Sequence, residues 1–158
     1  MDFGEKTSKL ILLAQELAEA TPGFFDVKGP GAGDRASNEF MLKLSVAVKE
    51  VFGREYSQHK ISVKNNFSVD FYFPEEETVI ELAFGLDKPM NEHERDIFKC
   101  LLATENGFAI RRLVFVCKPG GQTRMAAPGP SAIREWVQTR HGLKIDYWEL
   151  VRPETNSG

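Results

Sequence analysis

The chain has 158 residues, is 42% hydrophobic and 27% charged, and carries a formal charge of −3. That is the size and composition of one soluble globular domain with a sizeable core. No apolar run approaches a membrane span, and the N-terminus lacks the basic-then-apolar layout of a secretory signal, so a cytoplasmic location is expected.

Residues 5–20 place Leu10, Leu13, Ala14, Leu17 and Ala18 at helical spacing, and Thr21-Pro22-Gly23 ends that helix. The segment Gly29-Pro30-Gly31-Ala32-Gly33 reads as a linker. No strand of the kind a phosphate-cradling loop needs precedes it, and no Gly-Lys-Ser/Thr follows. The expected organisation is therefore an N-terminal helix and linker (1–33), an α/β domain (34–152) and a flexible tail (153–158). The first helix is expected outside the main core, free to pair with a second copy in a homodimer.

The second helix is the clearest element. Phe40, Met41, Leu44, Ala47, Val48, Val51 and Phe52 make one apolar face, with Asp34 or Ser37 as cap and Gly53 as stop. Strands follow at His59–Val63, Phe67–Phe73 and Thr78–Phe84, the last nearly all apolar, as a central strand should be. Asn91 opens a third helix, with Glu94 at the capping-box position and Ile97, Phe98, Leu101 and Leu102 as its buried stripe. Leu113–Cys117 is a fourth strand, joined to the third by a right-handed crossover. A long loop covers 118–130. A helix over Ser131–Arg140, with Ile133, Trp136 and Val137 inward, and a strand over Lys144–Val151 complete the order. The fold class is α/β, a mixed sheet with helices on both faces.

Cys100 and Cys117 lie in apolar segments without Cys/His clustering, so they make no zinc site. Buried free thiols are expected over a disulfide. Charge is uneven along the chain. Residues 75–96 are strongly acidic, with Lys88 and Arg95 as their only bases, whereas 111–140 hold Arg111, Arg112, Lys118, Arg124, Arg134 and Arg140 against Glu135. Such a bipolar chain could set a basic face on a phosphate backbone beside an acidic pocket; mixed surface charge is the equally open reading.

Asp70 in Val69-Asp70-Phe71 and Glu81 in Ile80-Glu81-Leu82 interrupt apolar strands separated by a short turn. A charge in such a strand is costly unless it is paired or binds a metal. Two carboxylates on neighbouring strands can hold Mg²⁺ or Mn²⁺, hard cations that prefer oxygen. Such an ion activates water and neutralises charge on a phosphodiester.

This layout resembles the PD-(D/E)XK nuclease superfamily, of restriction-endonuclease-like fold, over roughly residues 34–118. Asp70 matches the first motif acid and Glu81 the second, and Glu39 stands where many members place a Glu on the first core helix. The resemblance implies an αβββαβ core with an extra N-terminal helix, a metal site of Glu39, Asp70 and Glu81 with the Leu82 carbonyl as a further ligand, and a nuclease acting on DNA or RNA. The chain departs from the motif at Ala83, where the lysine belongs. Lys99 and Arg95, on one face of the third helix, are the candidates to replace it, with Lys64 as a weaker one and His59 and Gln58 on the first strand as alternative orienting groups. Against this stand surface and ion-pair readings: Glu39 paired with Lys43, Asp70 with an arginine such as Arg112. A non-cutting domain would bind nucleic acid through Arg111, Arg112, Lys118, Arg124 and Arg134, or serve in assembly.

Overall fold

The computed structural model describes residues 2–26, 32–62, 65–85 and 91–154, without the side chains of 32–34 and 91. Helices α1 (Glu5–Ala20) and α2 (Ala32–Phe52) lead into strands β1 (Ser57–Lys60), β2 (Ser68–Phe73) and β3 (Thr78–Ala83), then α3 (Asn91–Glu105) and β4 (Arg112–Cys117). Helices α4 (Gly121–Met125) and α5 (Pro128–His141) and strand β5 (Lys144–Glu149) close the fold.

The strands form one sheet in the order β1-β2-β3-β4-β5. The β1–β2 and β2–β3 pairs are antiparallel; β3–β4 and β4–β5 are parallel. The antiparallel half follows from the short connections, because Pro74–Glu76 form one 3₁₀ turn and Glu77 reverses the chain. The parallel half follows from the helical crossovers. β3 is the middle strand of five, and Thr78 through Glu81 are all buried, as its apolar sequence requires.

Helices cover both faces. On one side α1 and α2 bring Leu10, Ala14, Phe40, Leu44 and Val48 against Phe71, Phe73, Ile80, Val114 and Val116. On the other, Ile97, Cys100 and Ala103 of α3 and Val137 of α5 meet Tyr72, Val79, Leu113, Phe115 and Ile145. Removing a fully buried leucine such as Leu44 would cost about 2–5 kcal/mol. Both cysteines are free and buried. No described helix is long and apolar enough to cross a membrane.

Several sequence expectations need correction. Helix α1 does not stand outside the core: Leu10 and Ala14 are completely buried in the cluster that α2 and the sheet share. Helix α2 starts before Asp34 and Ser37, so neither is its first residue. β1 starts earlier than expected and ends at Lys60. The region 118–130 is not one loop. Gly120, with φ 97°, turns the chain into α4, and a proline at the first position, where its missing N–H costs nothing, starts α5. On α3 the buried stripe is His93, Ile97, Cys100 and Ala103, so Phe98 and Leu102 face outward; on α5 Trp136 does the same. The side chains of Asp34 and Asn91, the expected strand end Val63, Lys64, and most of the Gly-Pro segment and tail lie outside the described residues.

Candidate carboxylate–lysine site

The β2–β3 register pairs Phe71 with Ile80 and Tyr72 with Val79, and one further step sets Asp70 beside Glu81. β1 pairs Ser57 with Phe71 and His59 with Val69, which puts Gln58 across from Asp70 on its other side. Strand alternation points Asp70 and Glu81 to the α3 face. Glu81 is 5% exposed and lies in the middle of the sheet; Asp70 is half-buried, nearer solvent.

The two carboxyl groups are close enough to bear on each other's proton affinity, Asp70 pushing that of Glu81 up. Asp70 Oδ2 accepts the Leu82 backbone N–H at 2.8 Å. The Gln58 side chain lies near enough to lower the Asp70 pKa slightly. Gln58 has φ 48°, in the left-handed region that costs a non-glycine residue about 1–3 kcal/mol, and such strain gathers at functional sites.

Helix α3 supplies the cation. The Lys99 ammonium lies 2.8 Å from Asp96 Oδ1 and 3.6 Å from Glu81 Oε1, with the lysine and glutamate side chains only 12% and 6% exposed. It also donates to the Ser68 carbonyl at 2.9 Å. The small residues Cys100 and Ala103 on the buried stripe let α3 approach the sheet closely enough for this reach. Glu81 Oε1 is buried and has no hydrogen-bond partner.

These contacts set the proton affinities. Burial, then the charges of Asp70 and Asp96, hold the Glu81 carboxyl well above the usual carboxylate range, against the pull of Lys99. Burial raises Asp70 too, with the Leu82 N–H opposing it. Asp96 is raised by burial and drawn back by Lys99. For Lys99, burial alone would lower the ammonium pKa, but Glu81, Asp96 and Asp70 together outweigh it and raise it.

The other expected site residues fall elsewhere. Glu39 sits on α2, across the sheet, 64% exposed and 3.8 Å from Arg35, so it is no ligand beside Asp70 and Glu81. Among the described residues no three His, Cys, Asp or Glu side chains converge on a metal position; the Asp70–Glu81 pair is what a cation would meet. Leu82 engages the site through its N–H. Arg95 leaves the carboxylates and lies over the Phe67 ring, 5.8 Å from its centre. His59 packs edge-on against Tyr72.

The five basic residues do not gather into one face. Arg111 pairs with Glu77 at 2.9 Å; Arg112 and Arg134 pair with buried Asp146 at 3.3 and 3.4 Å. Asp70 has no arginine partner. Lys118, at the far end of β4, donates to the Phe24 carbonyl at 2.7 Å, and Arg124 is exposed on α4. Sequence reasoning missed Asp96. Its spacing of three from Lys99 on one helix was the available signal.

No protein-family model matches the chain, and no curated protein or solved structure shows significant similarity to it.

Proposed function

We propose that the protein is a divalent-metal-dependent phosphodiesterase of PD-(D/E)XK type, cutting DNA or RNA in the cytoplasm. The observation that carries this reading is Lys99. The motif lysine is missing at Ala83, yet an ammonium from α3 lies 3.6 Å from Glu81 Oε1. The site also carries more acid than base: Asp70, Glu81 and Asp96 surround one lysine, and Glu81 Oε1 has no hydrogen-bond partner. That deficit of positive charge fits one Mg²⁺ or Mn²⁺ held by Asp70 and Glu81. When bound, the ion supplies Lewis-acid activation of water and of the phosphodiester. Asp70, nearer solvent, is the carboxylate that meets incoming substrate. Gln58 and the Leu82 N–H fix its orientation. Lys99 stabilises negative charge developing beside Glu81, and Asp96 holds the ammonium in place.

The test is cleavage of plasmid, single-stranded DNA and RNA in Mg²⁺ or Mn²⁺ by wild type, Asp70→Ala, Glu81→Ala and Lys99→Met. Cleavage that survives both carboxylate substitutions puts the site elsewhere. Lys99→Met is expected to lower the rate by about 10²-fold or more, as loss of a catalytic cation does. The displacement of Glu39 favours a second reading, a domain that binds nucleic acid or assembles without cutting. Calorimetry showing no metal uptake beside salt-sensitive oligonucleotide binding would select it.

A further inference from the structure

Helix α3 is apolar on two opposite sides. Its inner stripe, His93, Ile97, Cys100 and Ala103, is buried against the sheet. Phe98 and Leu102 are each two residues from Cys100 and so lie roughly opposite it on the helix, 61% and 42% exposed. A helix with two apolar sides needs two partners, and the fold supplies one. With Phe67 and Leu101 the outer pair lines an open cleft of about 540 Å³, bordered by His141 of α5. The half-exposed Trp136 ring lies edge-on to His141, their centres 5.2 Å apart, and carries the apolar surface onto α5. Large apolar side chains gathered on one surface mark a place where something docks.

The charges around this surface decide what fits it. The Lys99 ammonium is taken up by Asp96, Glu81 and the Ser68 carbonyl. Arg95 stands toward the amino end of α3, with Glu94 beside it, and Glu105 closes the carboxyl end. Neither sign prevails, so a polyanion meets as much repulsion as attraction. The pattern is instead complementary to itself. Arg95, Phe98, Leu102 and Glu105 follow spacings of three, four and three, the seam of a coiled coil. Read backwards, the same seam runs acid, apolar, apolar, base.

We propose that the occupant is a second copy of this chain, with α3 packed antiparallel on α3 about a two-fold axis at the level of Cys100. In that pairing Phe98 meets the partner's Leu102, and Arg95 meets the partner's Glu105. Two-fold symmetry makes each contact twice, so two apolar layers are closed at both ends by ion pairs. A parallel pairing would set Arg95 on Arg95 and Glu105 on Glu105, like charges at both ends. Trp136 extends the patch, because a specific interface of about 800 Å² per partner needs more than one helix face. The self-pairing expected of the first helix thus falls to α3, since α1 spends Leu10, Ala14 and Ala18 on the core.

The experiment is sedimentation velocity of the full chain at about 5 and about 100 μM, because association follows mass action. Wild type is expected to move from monomer toward dimer across that range. Phe98→Glu should stay monomeric at the higher concentration and keep the wild-type circular dichroism, since the side chain faces solvent. Arg95→Glu and Glu105→Arg should each weaken the dimer by about tenfold or more, because each sets like charges together at both ends. The double variant should recover the wild-type affinity within about threefold, and an equimolar mixture of the two single variants should form a mixed dimer. Leu42→Glu, on α2 across the sheet, should change nothing.

A wild type that remains monomeric at about 100 μM overturns the proposal. If that monomer takes up anilinonaphthalene sulfonate and Phe98→Glu does not, the cleft belongs to a small ligand instead. A dimer that survives Phe98→Glu overturns it too, and loss of that dimer in Leu42→Glu would place the interface on α2. A dimer abolished by Phe98→Glu but indifferent to both single charge reversals overturns the antiparallel pairing.

Discussion

Among the described residues acids are buried in two places, with opposite balances of charge around them. Asp146 on β5 is 2% exposed and is flanked by the guanidinium groups of Arg112 and Arg134. One negative charge there meets two positive ones. Around Glu81 the ratio reverses, with three carboxyl groups sharing Lys99. The first arrangement is how a fold makes a buried acid tolerable. The second leaves like charges in contact and raises their proton affinities, which destabilises the ionised state. One fold thus surrounds one buried acid with an excess of positive charge and leaves another short of it.

The contrast is broken most directly by activity. Asp70→Asn and Glu81→Gln are expected to lower metal-dependent cleavage by about 10³-fold or more, in the range of losses seen when charge-stabilising groups are removed. Asp146→Asn should stay within about twofold of wild type. Initial rates at matched folded fractions read both, and a large loss in Asp146→Asn would erase the distinction.

Stability should reverse the ranking. Asp146→Asn leaves two arginines without their buried partner and is expected to cost about 3 kcal/mol in urea unfolding. An unchanged midpoint would show that the Asp146 cluster is not holding the fold.

His93 sharpens the comparison because it is buried with no charge beside it. Its Nε2 hydrogen-bonds the Tyr147 hydroxyl at 2.6 Å, the ring packs on Phe115 and Tyr147, and Nδ1 has no partner. Burial lowers its pKa from 6.5 to about 4. The unfolded chain therefore takes up the proton first as pH falls. Stability should drop below pH 6.5 and level off near pH 4, by about 3 kcal/mol in all. His93→Phe should flatten this slope in urea titrations across that range; an unchanged slope would assign it to other groups.

The smallest effect carries the opposite pH sign. Glu81 has a raised folded pKa, so the native state holds its proton more tightly than the unfolded state does. This contribution is present below the unfolded value of about 4.5 and is lost as pH rises through the folded one. Glu81→Gln keeps Lys99 paired with Asp96 and should be more stable than wild type at pH 8, by about 1 kcal/mol, with the gain vanishing below pH 4.5. Added Mn²⁺ should raise the melting temperature of wild type and leave that of Glu81→Gln unmoved. A Glu81→Gln variant less stable than wild type at pH 8 would mean the acid belongs to a well-paired ion network.

Much of this was legible in the sequence for a definite reason. The apolar periods of α2 and β3 are long and unbroken, so element type, the mixed sheet and the central place of β3 could be read directly. Asp70 and Glu81 stood out because they interrupt apolar strands; Lys99 was legible only as one of two cations, with Arg95, flanking the apolar stripe of the third helix. The misses came from side-chain direction and from local signals read the wrong way. Gly120 and Pro128 start helices here, although both residue types usually mark loops. Phe98 was assigned to the core by hydrophobicity, but the helix is rotated to point His93, Ile97 and Cys100 inward. Asp96 was hidden in an acidic stretch that also holds the exposed Glu75 and Glu92. Glu39 was carried over by analogy of position, and its helix packs on the wrong side of the sheet.

Glu76, in the turn between β2 and β3, accepts hydrogen bonds from Lys6 N, Thr7 N and the Thr7 hydroxyl at 2.6, 3.0 and 2.7 Å, finishing the start of α1. Gln15, further along the same helix, exchanges hydrogen bonds with the backbone of Val151 at 2.8 and 2.9 Å. Helix α1 thus completes its contacts with groups 69 and 136 residues further along the chain. Its amino end is capped from the β2–β3 turn, and Gln15 is tied to the segment that follows β5. Helix α1 is therefore held by contacts of high sequence separation, the kind that folding closes slowly.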